Sequence, residues 1–307
     1  MREVRIPAFA KINLRLEILG KRADGFHELR TIFQTISLHD ELKLREAPAA
    51  SLKAKQRPEI SLEITGNAAL SKEPIEKNLV YRAVDELRRE LKVGGGVEIL
   101  LKKTIPAGRG MGGGSSDAAA GLLGYLRLAG REIPAPRLME IAASLGADVP
   151  FFLFGGRALG IGKGDEIYPL PDVAKLDVLV VSPREVHVPT PDAYRWLKAQ
   201  ALTKSGVNPK LWEFCALCWS SQGIGLSNDF ERPVFQRHPR LDGIKRELLH
   251  RGAAEASLAG SGSAVFGVFP SPVLARRAAA GFPDDQTFVC ETISRDRYLR
   301  LRKGAVR

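Results

Sequence analysis

The sequence predicts an α+β protein of two packed sheet-and-helix units, and three observations predict it. The chain has 307 residues, more than one ordinary core holds, so two domains of about 150 residues are expected. Strand-like and helix-like segments interleave without a regular strand–helix–strand repeat, which argues against a doubly wound parallel sheet. A proline-rich stretch, "EIYPLPDVAKLD", breaks the pattern and places a boundary near residue 172, giving units of 1–172 and 173–307.

Each element has its own signal. "VRIPAFAKINLRLEIL" alternates imperfectly and reads as a strand, and "GKRADGFHELRTIFQTI" places an Asp24-Gly25 turn before another extended run. "DELKLREA" and "SLEITG" read as further antiparallel strands joined by a polar loop. "EKNLVYRAVDELRRELK" has apolar residues at helical spacing until Gly94-Gly95-Gly96 stops it, and "GVEILLKKTIP" is a strand that Pro106 ends. The glycine-rich "PAGRGMGGGSSDAAAG" then leads into an alanine-rich helix without a distinct hydrophobic face, capped by Ser115 or Ser116, with Asp117 in its first turn. "APRLMEIAASLGADVPFFLFGG" gives a helix, a break at Gly146 and an apolar strand. Beyond the boundary, "VLVVSP", "TPDAYRWLKAQA", "ELLHRGAAEASLAGSGSAVFGVF" and "PVLARRAAAG" alternate strand and helix.

Composition narrows the function. No apolar run approaches the roughly 20 residues that cross a bilayer, and Met1 to Ala10 lacks the apolar middle of a signal peptide. The formal charge of +11 favours anionic ligands, but the basic residues are scattered and no aromatic-rich nucleic-acid motif lies among them. The expectation is neither a nucleic-acid nor a membrane partner. Cys215 and Cys218 form one C-x-x-C within "LWEFCALCWS", with no second pair to complete a metal site, so packing in an apolar helix is expected. With Cys290 they make an odd, low count that suits a reducing cytoplasm.

The glycine stretch carries the chemistry. A helix N-terminus leaves about four backbone N–H groups unpaired and carries roughly half a positive charge, and preceding glycines let an anion reach those amides. The letters contain G-x-G-x-x-G at Gly108, Gly110 and Gly113, yet Pro106 intervenes after the strand and the only acid at a suitable distance, Glu132, lies in a turn, so a dinucleotide fold is disfavoured. No Gly-Lys-Ser/Thr triplet exists, so the stretch is not a P-loop. A phosphate cradle or a plain hinge is left.

"IPAGRGMGGGSSDAAAG" resembles the nucleotide-binding signature of the GHMP kinases. "PAFAKINLRLEILGKRADGFHEL" before it, "SLGADVPFFLFGGRALGIGKGDEI" after it, "SNDFE" at 227–231 and "SLAGSGSAVFGVF" near the end follow in the same order, from Pro7 to Phe269. The set is most similar to the branch that acts on a cytidine diphosphate methylerythritol. Arg109 stands where the family usually has a small residue, Met111 where it usually has Leu, and Phe26 where Tyr is more usual.

The resemblance implies the GHMP kinase fold, with an N-terminal ribosomal protein S5 domain 2-like unit and a C-terminal ferredoxin-like unit. It implies ATP with Mg2+, and transfer of the γ-phosphoryl group to the 2-hydroxyl of 4-diphosphocytidyl-2-C-methyl-D-erythritol. Asp148 is implied as catalytic base, where the residues alone read as a cap or turn; Lys11, otherwise a snorkelling strand residue, is implied as its partner beside the developing alkoxide. Pro106, Ala107, Gly108, Arg109, Gly110, Met111, Gly112, Gly113, Gly114, Ser115 and Ser116 are implied around the ATP phosphates, with Asn78 and Lys103, which alone read as surface residues, at the adenosine. Both serines also serve as helix caps on plain reading, and Arg109 either meets a phosphate or points to water. Phe26, His27 and Tyr194 are implied as a cytosine clamp, Asn13 and Thr190 as acceptor contacts, and Gly260, Ser261 and Gly262 as a loop closing the site, otherwise a hairpin or bulge. No dedicated cage of metal ligands is expected. Rival readings are another GHMP kinase, acting on homoserine, mevalonate or a sugar, and a non-catalytic nucleic-acid-binding module.

Overall fold

The computed structural model describes residues 2–47, 60–197 and 225–303. Two sheets face each other, and helices cover their outer sides. The first sheet begins with two long antiparallel strands, β1 (Glu3–Lys21) and β2 (His27–Glu46), joined through the Asp24-Gly25 turn, where Asp24 Oδ1 accepts from Phe26 N at 3.1 Å. "GFHELRTIFQTI" and "DELKLREA" are therefore one strand rather than two. Its length gives it two neighbours on the same edge: Glu41–Glu46 pair with β4 (Val97–Lys102), and Leu29–Gln34 with β5 (Arg157–Gly162). β6 (Glu166–Pro169) adds to β5.

β3 (Ile60–Thr65) runs parallel to β4, not antiparallel as the sequence suggested. α1 (Leu79–Leu91) lies between them and returns the chain to the end where β3 began, which makes a parallel partner the natural outcome. α2 (Gly113–Ala129) is buried along nearly its whole length between α1 and the sheet. A helix covered all round has no polar face to contrast with an apolar one, so its amphipathic signal is weak. Small residues make the fit possible: a Cβ on Gly124 would come within 2.6 Å of Leu44 Cδ1.

After α3 (Ala135–Leu145), "PFFLF" forms the short helix α4 (Phe151–Phe154), and the strand begins only at Arg157. Phe151 and Phe152 are both buried, so the apolar run marks core rather than strand; period alone does not separate the two in so short a stretch.

The loop 170–176 leads to the second sheet, in the order β11-β7-β10-β9, all antiparallel: β7 (Asp177–Ser182), β9 (Glu255–Leu258), β10 (Val265–Phe269) and β11 (Gln286–Glu291). α5 (Thr190–Trp196), α6 (Glu231–Arg237) and α7 (Pro239–His250) lie between β7 and β9, and α8 (Pro272–Ala279) between β10 and β11. This is a split β-α-β arrangement of the ferredoxin-like kind. α9 (Arg295–Arg302) ends the described chain, and β8 (Ser227–Asn228) pairs parallel with Arg15 and Leu16 of β1. The sheets share a core in which Ala10, Ile12 and Leu14 of β1 cluster with Val178 and Val180 of β7 and Phe266 of β10. Cys215, Cys218, their expected helix and the polar loop after β2 lie outside the described residues; Cys290 is buried, its thiol pushed up to about 12 by desolvation.

Candidate active site

Between the two units lies a cleft of about 1050 Å3. Every site residue expected from the sequence lines it except Ser116 and Gly262, which sit behind the wall.

The glycine loop enters the cleft from β4 and ends at α2. Gly112 takes a left-handed conformation (φ 68°) as the N-cap, and no side chain caps the helix; Ser115 and Ser116 fall inside the first turn instead. The helix start is therefore left uncapped by side chains, and the first-turn amides stay open to the cleft. Ser116 Oγ is buried without a hydrogen-bond partner. Gly112 is packed so closely that a Cβ there would stand 2.8 Å from the Phe152 ring. Met111 is buried, and its carbonyl accepts from Lys11 N at 3.0 Å, anchoring the loop to β1.

Lys11 and Asn13 sit in β1 where its register to β2 shifts, between Phe9 and Lys11 and again between Asn13 and Arg15. Such irregularities re-aim side chains and explain the imperfect alternation. Lys11 is only 4 % exposed. Its Nζ donates to Asn13 Oδ1 at 2.7 Å and stands 3.5 Å from Asp148 Oδ2; Asn13 Nδ2 donates to Thr31 Oγ1 at 2.7 Å. Asp148 lies in the tight junction between α3 and α4, where Val149 N bonds Gly146 O and the neighbouring Val149, Phe151 and Phe152 go to the core. Its own side chain, about a third exposed, is left to the cleft.

Lys103 is not a surface residue. Its ammonium is buried between Asp40 and Asp117, at 2.7 Å from the latter. Asp40 Oδ1 also accepts from the Ile105 backbone at 2.8 Å, tying the entrance of the glycine loop to β2. One ammonium beside two buried carboxylates leaves an excess negative charge, and desolvation pushes the Asp117 carboxyl up to about 8. Asp117 thus serves this buried cluster rather than the helix dipole. Asn78 is the N-cap of α1, accepting from Val80 N at 2.9 Å.

Also in the cleft wall, the Tyr194 ring packs against the His27 imidazole, centroids 4.8 Å apart, and edge-on against Phe230. Burial and the charge of Asp148 raise the Tyr194 hydroxyl, and burial lowers His27. Phe26 is 58 % exposed, with Lys163 Nζ 5.0 Å from its ring centre. Thr190 Oγ1 and Ser261 Oγ are 3.0 Å apart, joining α5 to the 260–262 loop. That loop packs backbone to backbone on the first one: a Cβ on Gly260 would lie 2.8 Å from Gly110 O. Asn228 holds it, donating from Nδ2 to Leu258 O at 2.8 Å and Gly260 O at 2.7 Å. Sequence reasoning gave Asp40, Asp117 and Asn228 no site role, although Asp117 and Asn228 stood in the family-like blocks "IPAGRGMGGGSSDAAAG" and "SNDFE".

Among the described residues no group of three or more His, Cys, Asp or Glu side chains is placed to hold a metal ion, and no helix is long and apolar enough to cross a membrane.

The chain matches the pattern of the GHMP kinases N terminal domain over residues 78–156 and of the GHMP kinases C terminal domain over 211–285. It is 44% identical to the 4-diphosphocytidyl-2-C-methyl-D-erythritol kinase of Solibacter usitatus, over 99% of this chain and 93% of that one, and 39% identical to that of Geobacter sp. strain M21, over 91% and 94%. A crystal structure of 4-(cytidine 5'-diphospho)-2C-methyl-D-erythritol kinase superposes with a TM-score of 0.76 at 33% identity, covering 94% of this chain and 98% of that one. A homoserine kinase from Cytophaga hutchinsonii, at 21% identity and TM-score 0.67 over 95% of both chains, shares the fold. With its two sheets, its glycine loop and these full-length relatives, the chain belongs to the GHMP kinases, in the 4-diphosphocytidyl-2-C-methyl-D-erythritol kinase family.

Proposed function

We propose that the chain is an ATP-dependent kinase that phosphorylates the 2-hydroxyl of 4-diphosphocytidyl-2-C-methyl-D-erythritol, a step of the non-mevalonate route to isoprenoid precursors. The observation that carries this reading is the placement of the Lys11–Asp148 pair in one cleft with the open amides of the glycine loop and the Phe26, His27 and Tyr194 cluster.

Bound ATP with Mg2+ supplies the transferable phosphoryl group and the cation that offsets its charge. The uncapped first turn of α2, where side chains are withdrawn and glycine backbone lines the wall, fits a phosphate chain. The main chain of residues 106–116 holds the phosphates, and Asn78 and Lys103 flank the nucleoside. Asp148 accepts the proton of the attacking hydroxyl. Lys11, fixed by Asn13, stabilises the alkoxide that forms as the proton leaves. Asn13 and Thr190 orient the acceptor, Tyr194 and Phe26 offer stacking faces to a pyrimidine, and His27 reads its edge. Gly260, Ser261 and Gly262 close the site over the phosphates. We further propose the division at residue 172, which the passage from the first sheet to the second through 170–176 supports, and a cytoplasmic setting, in keeping with the sparse cysteines.

A coupled assay of ADP release with a panel of alcohols tests the reading. Turnover with the cytidylated methylerythritol, and none with homoserine, mevalonate or galactose, is expected. Turnover confined to one of the other alcohols refutes it.

A further inference from the structure

We propose that Arg109 is a positioning residue, a clasp that fixes the glycine loop against the C-terminal unit and so pre-organises the phosphate site; the inference rests on reading residues 106–116 as that site. The guanidinium is half-buried at the wall of the cleft, and among the described residues it forms no salt bridge with a carboxylate. Nη1 donates to Ser263 Oγ at 2.6 Å and Nη2 to Arg184 O at 3.3 Å. Ser263 is fully buried, and its hydroxyl proton goes to Val186 O at 2.7 Å, so an oxygen lone pair is free to accept from Arg109. The main chain joins in: Ala264 N donates to Arg109 O at 3.2 Å. Arg109 is thus held through side chain and backbone by the loop that follows Gly260 and by the segment after β7.

The placement explains why these contacts matter for binding. The far end of the glycine loop is anchored to the N-terminal sheet by Lys11 N to Met111 O. Its near end has Arg109 as its side-chain tie to the other unit, and that tie lands on residues 184–186, just before Thr190 and Tyr194. One guanidinium fork therefore sets the loop against both the 260–264 loop and the segment that carries the acceptor residues. Both acceptors are neutral and, among the described residues, no salt bridge to Arg109 is formed, so the fork's geometry rather than ion pairing does the holding. Burial alone shifts this guanidinium, downward, in keeping with neutral partners. A loop held in its binding geometry before the ligand arrives loses less freedom on binding, which appears as affinity rather than as turnover.

The test uses the full-length chain, a non-hydrolysable ATP analogue with Mg2+, and calorimetry without acceptor, alongside steady-state kinetics. Arg109→Ala is expected to weaken analogue binding about tenfold, the scale of a charge-assisted hydrogen bond, and to raise KM for ATP equally with kcat changed less than about twofold. Arg109→Lys, which keeps the charge but not the fork, is expected to behave like Ala. Ser263→Ala is expected to weaken binding too, and the double variant to be no weaker than Arg109→Ala, the non-additivity of groups acting as one unit. Thermal melts establish that each variant is folded; Arg109→Lys changes no fully buried residue and decides the matter if Ser263→Ala does not fold. Wild-type affinity in Arg109→Ala, or retention of it in Arg109→Lys, overturns the clasp. No analogue binding by the wild type overturns the phosphate-site reading, and the clasp with it.

Discussion

Gly110 is pressed onto the backbone of Ala259: a Cβ at this glycine would stand 1.8 Å from the Ala259 carbonyl oxygen, and its φ of 81° lies where side chains are disfavoured. The contact is where the glycine loop meets the loop after β9, so Gly110→Ala forces them apart. We expect a stability loss of about 2–4 kcal/mol, the sum of overpacking and a left-handed alanine, together with loss of ATP-analogue binding. Urea unfolding checks it; a change below about 0.5 kcal/mol would show that the loops are not in contact.

The same pair marks how far the sequence could be read. A glycine-rich run entering a helix announces close backbone approach, and "LAGSGS" announces another, but nothing local says that the two approach each other. Lys11 and Asp148 each depart from their surroundings, a lysine in an apolar strand and a carboxylate before an apolar run, but alone they read as a snorkelling residue and a turn, and only the family resemblance paired the two side chains that lie 3.5 Å apart. Lys103 was not legible: its partners Asp40 and Asp117 come from a distant strand and from α2, and only the packed structure brings them together. The parallel pairing of β3 and the helix at "PFFLF" were missed for kindred reasons. Direction depends on the α1 crossover, and a short apolar run fits either element.

Asp117 gives a pH signature. Its carboxyl is raised from 3.8 to about 8 in the folded chain, so between those values the native state binds a proton that the unfolded chain has released. Stability from this group is complete below about pH 4 and declines as pH rises through 8. Asp117→Asn, close to the protonated shape, removes that decline. Denaturation curves from pH 5 to 8.5 are therefore expected to converge at the acid end and separate in favour of the variant at the alkaline end. Parallel curves would place the proton elsewhere.

Tyr194 packs on His27 and edge-on against Phe230, so acceptor and nucleotide binding should separate there. Tyr194→Ala is expected to weaken binding of a cytidine diphosphate compound by about 1–3 kcal/mol, the scale of one stacked base, and to leave ATP-analogue affinity within about twofold. Titration calorimetry with each ligand reads both quantities. Equal losses for the two would mean that the variant disturbs the whole cleft.

The proposed division of labour has Asp148 acting beside Lys11 on an acceptor while the amides of the glycine loop hold the nucleotide. Single-turnover phosphoryl transfer by Asp148→Asn, measured with the ATP-analogue Kd on the same preparation, addresses this most directly. The expected result is a rate lowered by about 10²–10⁴ with Kd essentially that of the wild type, as for loss of a positioned base. A variant that transfers phosphoryl groups at the wild-type rate would contradict the account.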